Sequence, residues 1–162
     1  MRVPQENKTS LQVKPMKPED LDQILDIEQR SYTEPWIREM FLDELFEKWF
    51  SHSVVLRLSP SSDPLGYSCF WILESELHLL NLTIDPAWQG RGFGTRLLQW
   101  ILAGGKKQKA LNAFLEVRVS NQGAIRLYEK NGFQQLTQRK NYYSNPQEDA
   151  LILKYSYDPI FF

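Results

Sequence analysis

The chain is 162 residues long, which suits one domain with its own core and leaves no room for a second catalytic domain. Hydrophobic residues make up 42% and charged residues 24%, with 5 Trp, 7 Tyr and 9 Phe, so intrinsic disorder is excluded as the default state. A formal net charge of -1 argues against nucleic-acid binding through bulk positive charge.

Residues 1–10 are polar and read as a loose tail, with the folded domain expected over 11–157 and an apolar tail over 158–162. Leu11 to Met16 alternates like a strand, and Lys17-Pro18-Glu19-Asp20 opens a helix with Leu21, Ile24, Leu25 and Glu28 at helical spacing, broken by Pro35. A second helix is expected from Ile37 to Phe50, with Met40, Phe41, Leu45 and Trp49 inward and the acids on its other face. The period then changes to two: Ser53–Leu58, Leu65–Leu73 and Glu76–Ile84 read as three consecutive antiparallel strands.

After a glycine loop, Leu97, Leu98, Ile101 and Leu102 mark a helix from Thr95 to Lys107, which Gly104-Gly105 would fray. Ala113–Val119 reads as a strand, Gln122–Asn131 as a helix capped by Gly132, and Phe133–Tyr143 and Ala150–Tyr157 as two last strands. The order β-α-α-β-β-β-α-β-α-β-β predicts an α/β fold with a mixed sheet and one β-α-β crossover at its centre, right-handed as such crossovers are.

No run approaches the roughly 18 apolar residues of a spanning helix, and the first residues have no apolar signal region, so a cytoplasmic protein without membrane attachment is expected. Cys69, the single cysteine, has no disulfide partner and reads as a buried thiol in the strand Tyr67-Ser68-Cys69-Phe70-Trp71, where no basic neighbour favours a thiolate. His52 and His78 belong to no cluster with metal-ligand spacing, so no metal is expected. Charge is unevenly placed: Glu19 to Glu47 holds ten acids against Arg30 and Arg38, and Gln89 to Lys140 holds ten bases against Glu116 and Glu129. The first segment suits a cationic partner and the second a polyanion, although solvated helix faces explain such runs equally well.

Gln89-Gly90-Arg91-Gly92-Phe93-Gly94 lies between a strand and a helix, where backbone N–H groups and the helix N-terminus favour an anion. It is not a nucleotide P-loop, because Gly94 is followed by Thr95-Arg96 rather than Lys and a hydroxyl residue. It is not a dinucleotide fingerprint either, because the third glycine would stand at Thr95 and three antiparallel strands precede the loop. Gln89, Gly92 and Gly94 do fill the Q/R-x-x-G-x-G/A loop of the GNAT acetyltransferases, which the chain resembles in element order from Leu11 to Tyr157.

Within that superfamily, several stretches in order resemble the RimI-type ribosomal-protein N-terminal alanine acetyltransferases: Ile27–Arg30, Pro35-Trp36, Asn81–Pro86, Leu115–Asn121, Ala124–Glu129, Gly132-Phe133, Arg139–Tyr143 and Glu148–Ala150. Thr83 and Trp88 stand where that pattern has a smaller residue and a tyrosine.

The resemblance implies acetyl-CoA as co-substrate, with the backbone of Leu82, Thr83 and Ile84 along the acetyl and pantetheine groups. It places the pyrophosphate on Gln89, Gly90, Arg91, Gly92, Phe93, Gly94 and Thr95, with Asn121 as a further cofactor contact. An N-cap for the next helix is an equally physical task for Asn121. Glu116 sits in the apolar strand Phe114-Leu115-Glu116-Val117, where partial desolvation would make its carboxylate a better base, or where it pairs with Arg118 on the same face. The resemblance implies that Glu116 is the general base and Tyr128 the general acid, against core packing for Tyr128.

Pro35-Trp36 and Asn141-Tyr142-Tyr143 are then the walls of a peptide site. With no credible nucleophile, transfer is expected to be direct, from acetyl-CoA to the N-terminus of a ribosomal protein, with oligomeric state left open. A GNAT enzyme acting on lysine or a small-molecule amine, and a non-catalytic acyl-CoA-binding module, remain as alternatives.

Overall fold

The computed structural model describes residues 9–158. Its elements are β1 (Ser10–Pro15), α1 (Leu21–Ser31), α2 (Arg38–Phe46), β2 (Ser51–Ser59), β3 (Pro64–Leu73), β4 (Glu76–Ile84), α3 (Phe93–Lys107), β5 (Asn112–Arg118), α4 (Gln122–Lys130), β6 (Gln134–Ser144) and β7 (Gln147–Ser156). The order is the one the sequence predicts, with short 3-10 turns at Pro18–Asp20 and Pro86–Trp88. Within the expected tails, Ser10 already belongs to β1, and residues 1–8 and 159–162 lie outside the described residues.

One seven-stranded sheet runs β1-β2-β3-β4-β5-β7-β6. All neighbours are antiparallel except β4 and β5, which α3 joins as a parallel crossover. Strand period two splits the side chains between two cores: Val54 and Leu56 of β2 face α3 and α4, whereas Val55 faces α1 and α2. Leu21, Ile24 and Ile27 of α1, spaced three apart, close the second core with Phe41, Tyr67 and Cys69. Each such fully buried aliphatic side chain contributes about 1.5–3 kcal/mol. Cys69 is wholly buried as expected, and burial pushes its thiol up to about 12.

Three local expectations are corrected. The second helix ends at Phe46 rather than Phe50, and Met40 and Trp49 are exposed, Trp49 by 84%. The acids of that helix are not all on a solvated face: Glu44 is buried and accepts hydrogen bonds from Ser51 Oγ (2.6 Å), Trp71 Nε1 (2.7 Å) and Lys48 Nζ (2.5 Å). Gly104-Gly105 does not fray α3, which continues to Lys107; Gly105 is buried where a Cβ would overlap the Tyr157 hydroxyl and stand 2.9 Å from Leu77 Cδ1.

The sheet is open at its centre. Parallel pairing joins Glu76–Leu79 to Asn112–Leu115 and then stops. At that point β4 carries a bulge, because Leu79 faces Phe70 and Asn81 faces Cys69, leaving Leu80 as the extra residue. Asn81 locks the kink: its side-chain oxygen accepts from Cys69 N (2.7 Å), and its carbonyl accepts from Ser68 Oγ (2.6 Å). Beyond the bulge, residues 81–84 of β4 stay paired to β3 but not to β5, so one edge of their backbone is free for a ligand.

Candidate active site

A cleft of about 650 Å³ opens where β4 and β5 part. Leu82, Thr83 and Ile84 form one wall, Asn121 and α4 residues Gly123, Ala124 and Leu127 the other, and Gln89, Gly90, Gly92, Phe93, Gly94 and Thr95 close one end. Gly90 and Gly92 adopt φ of +76° and +82°, a left-handed conformation that costs a residue with a Cβ about 1–2 kcal/mol. Two such turns aim successive backbone N–H groups at one concavity, and Gly92 is also the N-cap of the 15-residue α3, whose first N–H groups have no helical partner. That combination is one that suits an anion. Gln89 braces the loop from below, its Nε2 donating to Ile84 O (3.0 Å). Arg91 is not part of the cleft wall, because its guanidinium lies 4.9 Å above the Trp88 ring.

Asn121 lines the cleft and caps α4 at once, its Oδ1 accepting from Ala124 N (3.2 Å). Tyr128 follows two turns later at 7% exposure, and its hydroxyl makes no hydrogen bond among the described residues. Burial pushes that hydroxyl up, with Tyr32 and Tyr143 near enough to add to the effect, which holds the phenol protonated and able to donate.

Glu116 corrects an expectation. Its side chain is 40% exposed rather than desolvated. Nor does it pair with Arg118: its Oε2 accepts from the Tyr142 hydroxyl, and Arg139 Nη1 stands 3.8 Å from its Oε1. Arg118 turns instead to the β6–β7 hairpin, donating to Pro146 O (3.0 Å), Asn145 O (3.2 Å) and Glu148 (3.2 Å). It lies 4.2 Å from the Tyr143 ring and 4.0 Å from Glu34, so it ties the hairpin to the α1–α2 connection. Burial pushes the Tyr143 hydroxyl up to about 12.

Asn141 has φ +54° inside the β6 irregularity, and its N–H donates to Asp149 (2.9 Å), which turns Tyr142 and Tyr143 toward β5. In the α1–α2 connection, Pro35 and Trp36 are half-buried; Trp36 packs 5.1 Å from Phe41, and its N–H donates to Glu28 (3.0 Å). The Tyr142–Glu116 hydrogen bond and the contacts of Arg118 with Tyr143 and Glu34 thus bring β5, the β6–β7 hairpin and the connection that carries Trp36 together, while none of Glu116, Trp36, Tyr142 and Tyr143 is among the residues that line the cleft.

Residues 21–133 match the model of the acetyltransferase (GNAT) family. The chain belongs to that family. This acetyltransferase is 37% identical over 146 residues, 90% of its length and 95% of the relative's, to a Bacillus subtilis protein provisionally named a ribosomal protein bS18-alanine N-acetyltransferase. It is 34% identical over 136 residues, 83% of its length and 89% of the relative's, to the enzyme of that name from Salmonella typhimurium. The crystal structure of the Escherichia coli ribosomal-protein-S18-alanine N-acetyltransferase superposes with a TM-score of 0.82 at 28% identity, over 94% of this chain and all of the other.

Membership implies an acyl-CoA co-substrate, and the cleft fits one: a free strand edge for an extended arm and an anion nest for its pyrophosphate. The acetyltransferase also lines its cleft with Tyr32, Trp88, Arg126 and Lys130, which sequence reading did not select. Arg126 and Lys130 stand one turn apart on α4, a spacing that signalled a shared face, but which face needed the sheet. Among the described residues, no helix is long and apolar enough to cross a membrane, and no group of three His, Cys, Asp or Glu side chains gathers as a metal site.

Proposed function

We propose that this acetyltransferase moves acetyl from acetyl-CoA directly to the α-amino group of a protein, the N-terminal alanine of a ribosomal protein of the bS18 type, in the cytoplasm. The observation that carries the reading is similarity over most of the chain to enzymes named for that reaction. Two features of the chain support it: a cleft whose free strand edge and glycine loop suit acyl-CoA, and the aromatic pair Tyr142 and Tyr143 set against Glu116 and Arg118 of β5.

Acetyl-CoA supplies an activated acyl group as a thioester. Residues Leu82–Ile84 bind it along the free edge of β4, and the Gln89–Thr95 loop holds its pyrophosphate. Asn121 fixes the rim of the cleft. Glu116 takes the proton of the amine, directly or through one water, as nitrogen bonds to the acetyl carbon. Free β4 N–H groups favour the oxygen as it gains charge, and Tyr128 gives its proton to the departing sulfur. The bond to sulfur breaks as the amide forms, and CoA leaves as the thiol.

The acceptor's own chemistry favours an N-terminus. An α-amine of pKa about 7.8 is roughly 14% neutral at pH 7, whereas a lysine at about 10.4 is roughly 0.04% neutral. An exposed, partly engaged carboxylate such as Glu116 suits the less basic amine. The acid-rich segment Glu19–Glu47 adds attraction for a basic peptide.

The test is incubation with acetyl-CoA and two peptides, one beginning with Ala and one N-terminally blocked with an internal Lys. The reading predicts mass gain on the first alone. Equal modification of the second would move the assignment to lysine, and acetyl-CoA binding without modification of either would favour a small-molecule acceptor or a binding module.

A further inference from the structure

The cleft carries positive charge that the glycine loop does not supply. Among the described residues its lining includes no carboxylate and two cationic side chains, Arg126 and Lys130, both exposed on α4. The loop's own arginine is engaged elsewhere, because the Arg91 guanidinium lies over the Trp88 ring. Neither Arg126 nor Lys130 makes an ion pair or a side-chain hydrogen bond among the described residues, although Glu129 is only three residues from Arg126. Folding has little use for the pair, since like charges four residues apart on a helix repel. The helix dipole favours Lys130 in the last turn, but it accounts neither for Arg126 nor for the direction the two share.

Packing sets both cations beside the loop. Gly123, Arg126, Leu127 and Lys130 follow one another at helical spacing, so a single stripe of α4 faces the cleft. Within that stripe Leu127 meets the loop, its Cδ2 3.4 Å from where a Cβ on Gly94 would stand. Just beyond Lys130, Asn131 Oδ1 accepts from Gln99 Nε2 of α3 (3.4 Å), so α4 runs along the first half of α3.

CoA carries two kinds of phosphate. Its pyrophosphate spreads charge over a bridged pair, which backbone N–H groups and a helix N-terminus suit. Its ribose 3′-phosphate is a monoester that holds about -1.5 to -2 charges at pH 7, as such groups do, and calls for full positive charges. We propose that Arg126 and Lys130 form a second anion subsite of the cleft, which takes the 3′-phosphate of the acyl-CoA and makes the enzyme select CoA over dephospho-CoA. The arginine supplies a planar fork for two phosphate oxygens and the lysine a point charge.

This inference rests on the acyl-CoA part of the proposed function. It is tested by calorimetric Kd values for CoA and dephospho-CoA with the wild type, Arg126→Ala, Lys130→Ala and the double variant. Alanine is the strongest helix former and both side chains are exposed, so α4 should persist, and a thermal melt checks that it does. The wild type should bind CoA about tenfold more tightly than dephospho-CoA, the worth of a few charge-assisted hydrogen bonds at an exposed site. Each single variant should narrow that ratio. The double variant should bind both ligands alike, at the wild-type Kd for dephospho-CoA, because only the contact with the 3′-phosphate has been removed.

Equal affinity of the wild type for the two ligands, or a double variant that keeps the wild-type preference, would overturn the inference. Variants that weaken both ligands to the same degree would overturn it too, by moving the two cations to the pyrophosphate. Calorimetry needs no acceptor, so a wild type that prefers CoA but acetylates no α-amine refutes the proposed acceptor and leaves the subsite standing. A wild type that binds neither ligand would overturn the subsite together with the co-substrate it serves.

Discussion

The hydroxyl of Tyr142 on β6 donates to Oε2 of Glu116 on β5, reaching over the intervening strand β7. The carboxylate proposed as base is therefore held in place by the residue proposed as a wall of the acceptor site. Glu116 does not line the acyl-CoA cleft, so its removal should leave that cleft intact. Glu116→Gln should lower kcat by about 10²-fold or more at neutral pH while the calorimetric Kd for acetyl-CoA is unchanged. A wild-type rate would refute the base assignment.

Tyr128→Phe separates chemistry from packing. Its hydroxyl has no partner among the described residues, and the ring packs 5.6 Å from Phe133, so phenylalanine keeps the packing and removes a donor that folding does not use. Thermal denaturation should show a Tm at or slightly above the wild-type value, while kcat falls about 10²-fold. Loss of stability in step with activity would reduce Tyr128 to a core residue.

Gly92→Ala places a Cβ in open space but at φ +82°. The cost is strain rather than a clash, about 1–2 kcal/mol, expressed where α3 begins. Acetyl-CoA KM should rise and peptide KM should not, as read from steady-state kinetics with each substrate varied in turn.

Glu44 makes stability depend on acid. Burial opposes its ionisation, yet hydrogen bonds from Lys48, Ser51 and Trp71 outweigh it and hold the carboxyl below its ordinary value. The folded state therefore binds the Glu44 proton less tightly than the unfolded chain. Its stabilisation is complete above the ordinary carboxylate range and fades as pH falls through it. Urea denaturation at about pH 7 and about pH 3 should show a smaller acid-dependent loss in Glu44→Gln than in the wild type. An identical loss in both would contradict this role.

Much of this was legible in the chain. Element order followed from the change of period between Leu45 and Ser53, and the anion loop from the spacing of Gln89, Gly92 and Gly94. Positions that depend on tertiary contact were not. Leu80 looks like an ordinary strand residue, and its bulge arises from how Asn81 bonds across to β3. Helical periodicity assigned Trp49 to the core, but the chain leaves the helix after Phe46 and turns toward β2. Glu44 read as a surface acid because its partner Trp71 lies on a strand distant in sequence, and Glu28, although it falls on the apolar stripe of α1, finds its partner Tyr67 on a strand equally far away. Glu116 read as desolvated because its strand neighbours are apolar, whereas its exposure depends on the sheet face and on β6.

The account is tested most directly by incubating ribosomal protein bS18 carrying a free N-terminal alanine with this enzyme and acetyl-CoA, then locating the modification by tandem mass spectrometry. One acetyl group on the α-amine, absent when Glu116→Gln replaces the wild type, is the predicted result. Acetylation at lysine side chains, or an unmodified protein under conditions where acetyl-CoA binds, would contradict it.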